Sequence, residues 1–427
     1  MFNRCEETLI FMFKRYVTLV GLSLIFSCLS GCEPFALSQD ELQVTPPRFK
    51  ASEIEAPEGD GKQLRVMSWN IKYGAMRAPF WFDCWGDQVS LSASQVESNM
   101  EELYALIREA DPDILMVEEI ELYSRRSAYH NMVQGILDHT QLNYGAYYET
   151  WNSRYIPSEG LGRMSLGNAI FSKYPITGAS KVAQDPREDQ DGLTAYFYIQ
   201  RFIGRAEIEL PESVKVAAYV VHTEAYDEDG TKGRQIEQIY DVVSAETLPF
   251  VLGGDFNELP PTAAKVEDFP DERQSALCGE DYDQPPYTPE VMSPFYVGLK
   301  PWIDSARYGS TERAQRRYFT HSVLGPDEVS ESGRSGDWNR TLDYLFASAS
   351  TDWVSGTTDV LQRSGQVVGF VEATSEAESG DDATEGETEG ETEADSETSE
   401  ALNWTLSADP LRLSDHAPVF GVWEVQP

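Results

Sequence analysis

Leu252-Gly253-Gly254-Asp255-Phe256-Asn257 follows the apolar pair Phe250-Val251 and reads as a buried strand that ends on two glycines, then delivers a carboxylate and an amide. The glycines let the backbone come close to a neighbour or a ligand. If the extended path continues through Phe256, side-chain alternation points Asp255 and Asn257 the same way and Phe256 into the core. A carboxylate beside an amide suits a cation or a phosphate. A strand closing in an Asx turn accounts for the same residues.

Upstream, a helix over residues 232–248 places Ile236, Ile239, Tyr240 and Val243 on a core face. Before it a strand, residues 214–221, ends at His222-Thr223-Glu224. Leu64 to Asn70 alternates and stops at Asn70-Ile71-Lys72-Tyr73-Gly74. Val96, Met100, Leu103 and Ile107 predict a helix over 94–110, closed by Asp111-Pro112-Asp113. Ile114 to Val117 is a buried strand that ends in Glu118-Glu119, and alternation predicts one carboxylate inward and one outward. A second helix is expected over 127–137, and strands over 144–151, 168–172 and 194–202. Residues 258–301 look like a long surface excursion, after which Trp302-Ile303-Asp304, residues 318–322 and Leu342 to Ala347 resume the core. The last strand, Val419 to Val425, follows Ser414-Asp415-His416-Ala417-Pro418. Strands alternating with helices, with polar residues at the strand ends, predict a layered α/β protein.

The formal charge of -39 is unevenly placed: residues 371–400 hold 13 Asp or Glu and no Lys or Arg. That run cannot bury enough apolar area to order itself, and an insertion at about 365–402 is expected to be disordered. The rest of the 427 residues is still acidic, which argues against non-specific nucleic-acid binding through a basic face. A local cleft holding a metal ion can reverse the sign.

At the N-terminus Lys14 and Arg15 precede an apolar stretch from Tyr16 to Phe26, then Leu29-Ser30-Gly31-Cys32. This resembles the bacterial lipoprotein signal, which implies cleavage before Cys32 and lipidation of that cysteine. The division expected is a signal peptide over 1–31, a flexible tether over 32–62 and one domain over 63–427. The resemblance places the protein in the bacterial cell envelope, outside the cytoplasm, with the membrane as a partner through Cys32. Of the remaining cysteines, Cys84 and Cys278 could pair in an oxidising compartment. The loop around Trp81, Cys84 and Trp85 reads as a packed flap.

Six segments resemble, in order, the signatures of the endonuclease/exonuclease/phosphatase superfamily, with its deoxyribonuclease I-like fold. They are Ser68-Trp69-Asn70-Ile71, Asp113 through Glu119, Gly167 through Ser172, Gly254-Asp255-Phe256-Asn257, Arg340 through Phe346, and Ser414 through Pro418. The resemblance implies a four-layer α/β sandwich, two packed mixed sheets flanked by helices, with a site at one rim. It implies that Glu119, Asn70 and Asp415 hold Mg²⁺ or Mn²⁺, and that Asp255 and Asn257 position the attacking water and a phosphate oxygen. It also implies that His416, held by Asp343, contacts the phosphate or takes the proton, and that His222 acts as general acid or phosphate ligand. Arg163 and Asn168 match a segment that touches substrate. Glu118 stands where the family usually has glutamine. The activity implied is hydrolysis of phosphate esters, by a phosphodiesterase acting on nucleic acid or on a phospholipid or sphingomyelin headgroup. A phosphomonoesterase uses the same site, and a surface binding protein on the same fold is the alternative of another class. No protein partner is expected.

Overall fold

The computed structural model describes residues 35–57, 59–80, 86–226, 228–269, 287–328, 336–368 and 404–425. The expected signal peptide, Cys32, the Trp81 to Trp85 loop, Cys278 and the acidic run lie outside the described residues. Among the described residues no helix is long and apolar enough to cross a membrane.

In chain order the elements are α1 (Gln39–Leu42), β1 (Arg48–Lys50), β2 (Gln63–Asn70), α2 (Ala93–Ala110), β3 (Ile114–Glu121), α3 (Met132–His139), β4 (Tyr144–Ile156), β5 (Gly162–Ser172) and β6 (Ile176–Ala183). They continue with α4 (Gly192–Phe197), β7 (Phe202–Glu209), β8 (Lys215–His222), α5 (Thr231–Ser244), β9 (Phe250–Asp255), β10 (Lys300–Pro301) and β11 (Asp343–Ala347). Short strands β12 (Asp352–Trp353), β13 (Asp359–Val360), β14 (Val367–Val368) and β15 (Trp404–Thr405) precede β16 (Val419–Glu424). One sheet runs β1-β4-β5-β3-β2-β16-β12, with β13 also on β16, and the other runs β10-β11-β9-β8-β7-β6. Both are mixed: β2 with β3 and β8 with β9 are parallel, and their other pairings are antiparallel.

Alternation along the strands builds the layers. Val66, Ile114, Met116 and Ile170 pack with Val220, Leu252 and Leu345 between the two sheets. Their neighbours Met67, Trp69, Leu115 and Val117 face outward onto Val96, Met100, Leu103 and Ile107 of α2. Each such side chain, fully buried, contributes about 1.5–3 kcal/mol as an upper figure. On the other side α5 lays Ile236, Ile239 and Val243 against the second sheet. The result is the expected four-layer α/β sandwich. Ser92 and Gln95 begin α2 with a reciprocal capping box, and Asp111, at φ 47°, stops it ahead of Pro112.

Four local expectations change. The segment expected as tether is partly built into the fold: Leu42 is buried, Ala36 bridges to Ser153, and β1 adds an edge strand to β4. Short polar stretches read as linker because an edge strand needs only its backbone to pair. Residues 194–202 are not one strand, because Asp191 accepts hydrogen bonds from the amides of Leu193 and Thr194 and starts α4, so extended structure resumes only at Phe202. The helix expected from 127 begins at Met132, after Ala128 and Tyr129 turn at φ 52° and 60° and Asn131 supplies the cap. Strand β6 was not foreseen.

Candidate active site

The functional side chains gather where β2, β3, β8, β9 and β11 meet one rim of the sandwich. In the second sheet the register puts His222 beside Asp255 and Asp343 on the other side of Asp255, so three strands present one row. Two glycines permit this. A Cβ on Gly254, at φ 149°, would lie 2.0 Å from the Val221 carbonyl oxygen, and one on Gly253 would lie 2.4 Å from the Met116 methyl. Gly254 thus adopts a backbone conformation in which a side chain would strike β8, and Gly253 lets Met116 of the first sheet pack against β9.

Asp255 does not share a face with Asn257 through a continued strand. The chain turns at Asn257, φ 48°, and the Asn257 amide donates to Asp255 Oδ1 at 2.9 Å. This is the Asx turn. Phe256 fills the core against Phe295, Tyr344 and Phe346. The Asn257 side chain donates to the Thr223 carbonyl at 3.1 Å, and Lys232 Nζ donates to the Asn257 carbonyl at 3.0 Å.

Asp255 Oδ2 is the focus of the site. Asn70 Nδ2 donates to it at 3.2 Å, and the Nε2 atoms of His222 and His416 stand 3.5 and 3.6 Å away. His416 Nδ1 lies 2.9 and 3.1 Å from the two oxygens of Asp343. Burial alone would lower the His416 pKa, but the Asp343 and Asp255 carboxylates lift it to about 10, so His416 is an imidazolium at neutral pH. Burial pushes Asp255 up, His416 pulls it back and Asp343 raises it again, leaving it at about 7. His222 is held well below its ordinary value by burial, with Arg201 and His416 adding to the effect, so it is neutral.

In the first sheet, β3 slips register between Val117 and Ile120, and Glu119 sits at φ 55°. The inward and outward split expected of Glu118 and Glu119 fails because this bulge resets the alternation. Glu118 is fully buried between the sheets, taking a hydrogen bond from Ser68 Oγ at 3.1 Å, while Glu119 Oε1 accepts from Asn70 Nδ2 at 3.2 Å. Burial, Asp343 and Asp255 hold Glu118 well above the usual carboxyl range, and burial and Asp415 raise Glu119. Asp415 goes the other way: burial would raise it, but Lys72, with Nζ 2.9 Å from Oδ2, together with His416 and Arg77 outweighs that and brings it down to about 2.

Asn168 is buried on β5 opposite the bulge, in register with the site. Arg163 is not brought there. It lies five residues away on the same regular strand, on the opposite face, exposed to solvent.

Four residues were not singled out from sequence. Lys72 neutralises Asp415. Lys232 fixes the turn at Asn257. Arg201, 7% exposed, sits with Nε 3.6 Å from Glu224 Oε2, and its Nε and Nη1 are buried without a hydrogen-bond partner. The His321 ring lies 4.6 Å from that of His416, and its backbone bridges to His416. Lys72 stood in the quoted Asn70 to Gly74 stretch; the others carried no signal, since each gains its place from a strand or helix pairing.

The rim gathers Glu118, Glu119, Asp255, Asp343 and Asp415, with the cations Lys72 and His416 paired among them. Glu118 Oε2 is buried with no partner. Such a carboxylate surplus fits a hard cation at Glu119, with the Asn70 amide and Asp415 beside it. Ligand atoms of Asp255, Asp343 and His416 also lie within 4.8 Å of one another, but there the imidazolium already bridges the carboxylates.

A family model described as the endonuclease/exonuclease/phosphatase family matches residues 67–416. No curated protein matches the chain. Among solved structures, an endonuclease/exonuclease/phosphatase from Beutenbergia cavernae is 17% identical, covers 85% of this chain and 72% of its own, and superposes with a TM-score of 0.44. The mannosyl-6-phosphatase of Bacteroides thetaiotaomicron is 13% identical over 84% of this chain and 99% of its own, TM-score 0.42. The human Nocturnin catalytic domain with bound sulfate is 13% identical over 88% and 96%, TM-score 0.42.

Proposed function

The chain belongs to the endonuclease/exonuclease/phosphatase family, and from that premise we propose that it is a divalent-metal-dependent phosphodiesterase held outside the cytoplasm by lipidated Cys32. The family assignment carries hydrolysis of phosphate esters. The finer reading rests on one observation above all: a carboxylate, Asp255, whose outer oxygen faces Asn70, His222 and His416 together.

Glu119, Asn70 and Asp415 are the residues that would hold Mg²⁺ or Mn²⁺, and the ion when bound offsets the negative charge that builds on the phosphate oxygens. The chain supplies the rest. Asp255, poised near neutrality, accepts the proton of the attacking water, and the Asn257 turn keeps its carboxylate in place. The His416 imidazolium, fixed by Asp343, donates to a non-bridging oxygen, where a preformed cation stabilises the transition state more than the ground state. Neutral His222, 3.5 Å from the same Asp255 oxygen, and buried Arg201, which acts electrostatically on His222, would meet a second oxygen or the leaving group. The Leu29 to Cys32 stretch supports the membrane anchor, and with it a substrate met at or near a lipid surface.

The test is direct. Purified protein with Mg²⁺ should hydrolyse bis-p-nitrophenyl phosphate, and Asp255→Ala, folded by its thermal melt, should fall by about 10³-fold or more. Retention of wild-type turnover by that variant would remove the proposal. Plasmid digestion compared with phosphocholine release from liposomes separates the nuclease from the lipid hydrolase.

A further inference from the structure

The face of β5 that turns away from Asn168 opens into a second cavity, of about 200 Å³. Ser165 and Arg163 line it from β5, Lys181 from β6, and Val44 and Pro47 close it from the chain ahead of β1. The cavity is built around cations. Lys181 is 9% exposed, its ammonium lies 4.1 Å from the Phe202 ring centroid, and one of its three N–H bonds goes to the Glu149 carbonyl at 2.8 Å. The Arg163 guanidinium has no hydrogen bond or ion pair among the described residues. The single carboxylate of the lining, Glu149, already accepts from Ser165 Oγ at 2.5 Å and Asn152 Nδ2 at 2.9 Å.

Two cations against one hydrogen-bonded carboxylate give the lining a net positive charge in a chain whose formal charge is -39. A buried lysine with donors left over is costly unless an anion or water takes them. Size narrows the class. A cavity of about 200 Å³ has room for one phosphate group with a short polar body.

We propose that this cavity binds a small phosphate-bearing anion between Lys181 and Arg163, separately from the catalytic centre. Val44 begins the lining segment 12 residues after Cys32 in the sequence, and if the lipid anchor of the proposed function holds, the phosphate can come from a lipid headgroup as well as from solution. The shared chemistry is a tetrahedral dianion or monoester in a charge-assisted clamp.

The full chain is titrated with inorganic phosphate in the presence of a chelator, so that binding which needs a divalent ion is removed. Saturable binding is expected. Arg163→Gln should weaken it about tenfold, the loss of one charge-assisted hydrogen bond, and Lys181→Met at least as much, whereas phosphate held at the catalytic rim would be indifferent to both. Because Lys181 is buried and its loss can disturb folding, the exposed Arg163 decides. Glycerol phosphate and phosphatidylglycerol vesicles, each compared between wild type and Arg163→Gln, identify the source. Equal affinity in Arg163→Gln, or no saturable binding of any of the three probes, overturns the proposal.

Discussion

Asp343→Asn isolates what the carboxylate behind His416 does. Both Asp343 oxygens lie within 3.1 Å of His416 Nδ1, and together with Asp255 they lift the imidazole from 6.5 to about 10 against the effect of burial. Asparagine keeps the shape, and its carbonyl can still accept from Nδ1, so the change removes charge and little else. A hydrogen bond to a charged group contributes about 1.5–3 kcal/mol, which converts to a fall in kcat of roughly 10- to 150-fold. The sign of the pH effect follows. With Asp343 present, His416 stays charged up to about 10; without it the remaining carboxylates oppose burial alone and the charge is lost at a lower pH. The deficit should therefore be largest above about pH 7 and shrink below about pH 6, where solvent protonates the ring again. The assay is bis-p-nitrophenyl phosphate turnover with Mg²⁺ between those limits, on variant whose thermal melt shows a folded protein. A folded variant within about threefold of wild type at pH 8, or a deficit that grows as pH falls, would refute an imidazolium acting in the transition state.

Glu118→Gln should keep kcat within about threefold, because burial and two neighbouring carboxylates already favour the neutral acid and Ser68 Oγ can donate to either group; a fall beyond about 100-fold would mean that an ionised carboxylate works there. Gly254→Ala should lower unfolding free energy by about 3 kcal/mol or more, read from the urea midpoint, since its Cβ meets the Val221 carbonyl oxygen at 2.0 Å. Gly192→Ala, with nothing within 4 Å, serves as the neutral control. Burial pushes Glu246 up, but Arg205, Tyr219 and the amides of Thr247 and Leu248 bring it down to about 2, so its contribution to stability is present above 4.5 and lost as pH falls toward 2. Glu246→Gln should therefore cost about 1–2 kcal/mol at pH 7, discounted for the solvent around Arg205, and the gap should narrow to roughly half or less in melts near about pH 3; an undiminished gap would contradict the linkage.

What the sequence made legible is the end of each strand. Apolar runs that stop at Asn70, at Glu118-Glu119, at His222 and at Asp255 announce themselves, because burial sets the run and polarity marks where it meets water. Pairing was not legible: Asp343 and Asp255 become neighbours through β11 and β9, and no local pattern states that register. Arg163 is instructive in the other direction. An odd offset of five from Asn168 on one strand already implied opposite faces, and the family resemblance drew attention away from that arithmetic. Glu118 and Glu119 show where the same arithmetic stops working. Alternation assumes an unbroken strand, and the bulge that turns Glu119 toward Asn70 has no glycine to betray it. Lys72, Tyr73, Glu119 and Asn257 all carry positive φ values, between 42° and 55°, without being glycine. For lysine, tyrosine and glutamate that conformation is unfavourable locally and persists only because the surrounding packing over-determines it. At the rim this strain coincides with like-charged carboxylates held together, and both are conditions that the tertiary structure imposes against local preference. A reading that relies on local preference therefore loses the geometry at the rim first, while it keeps the strands that lead there.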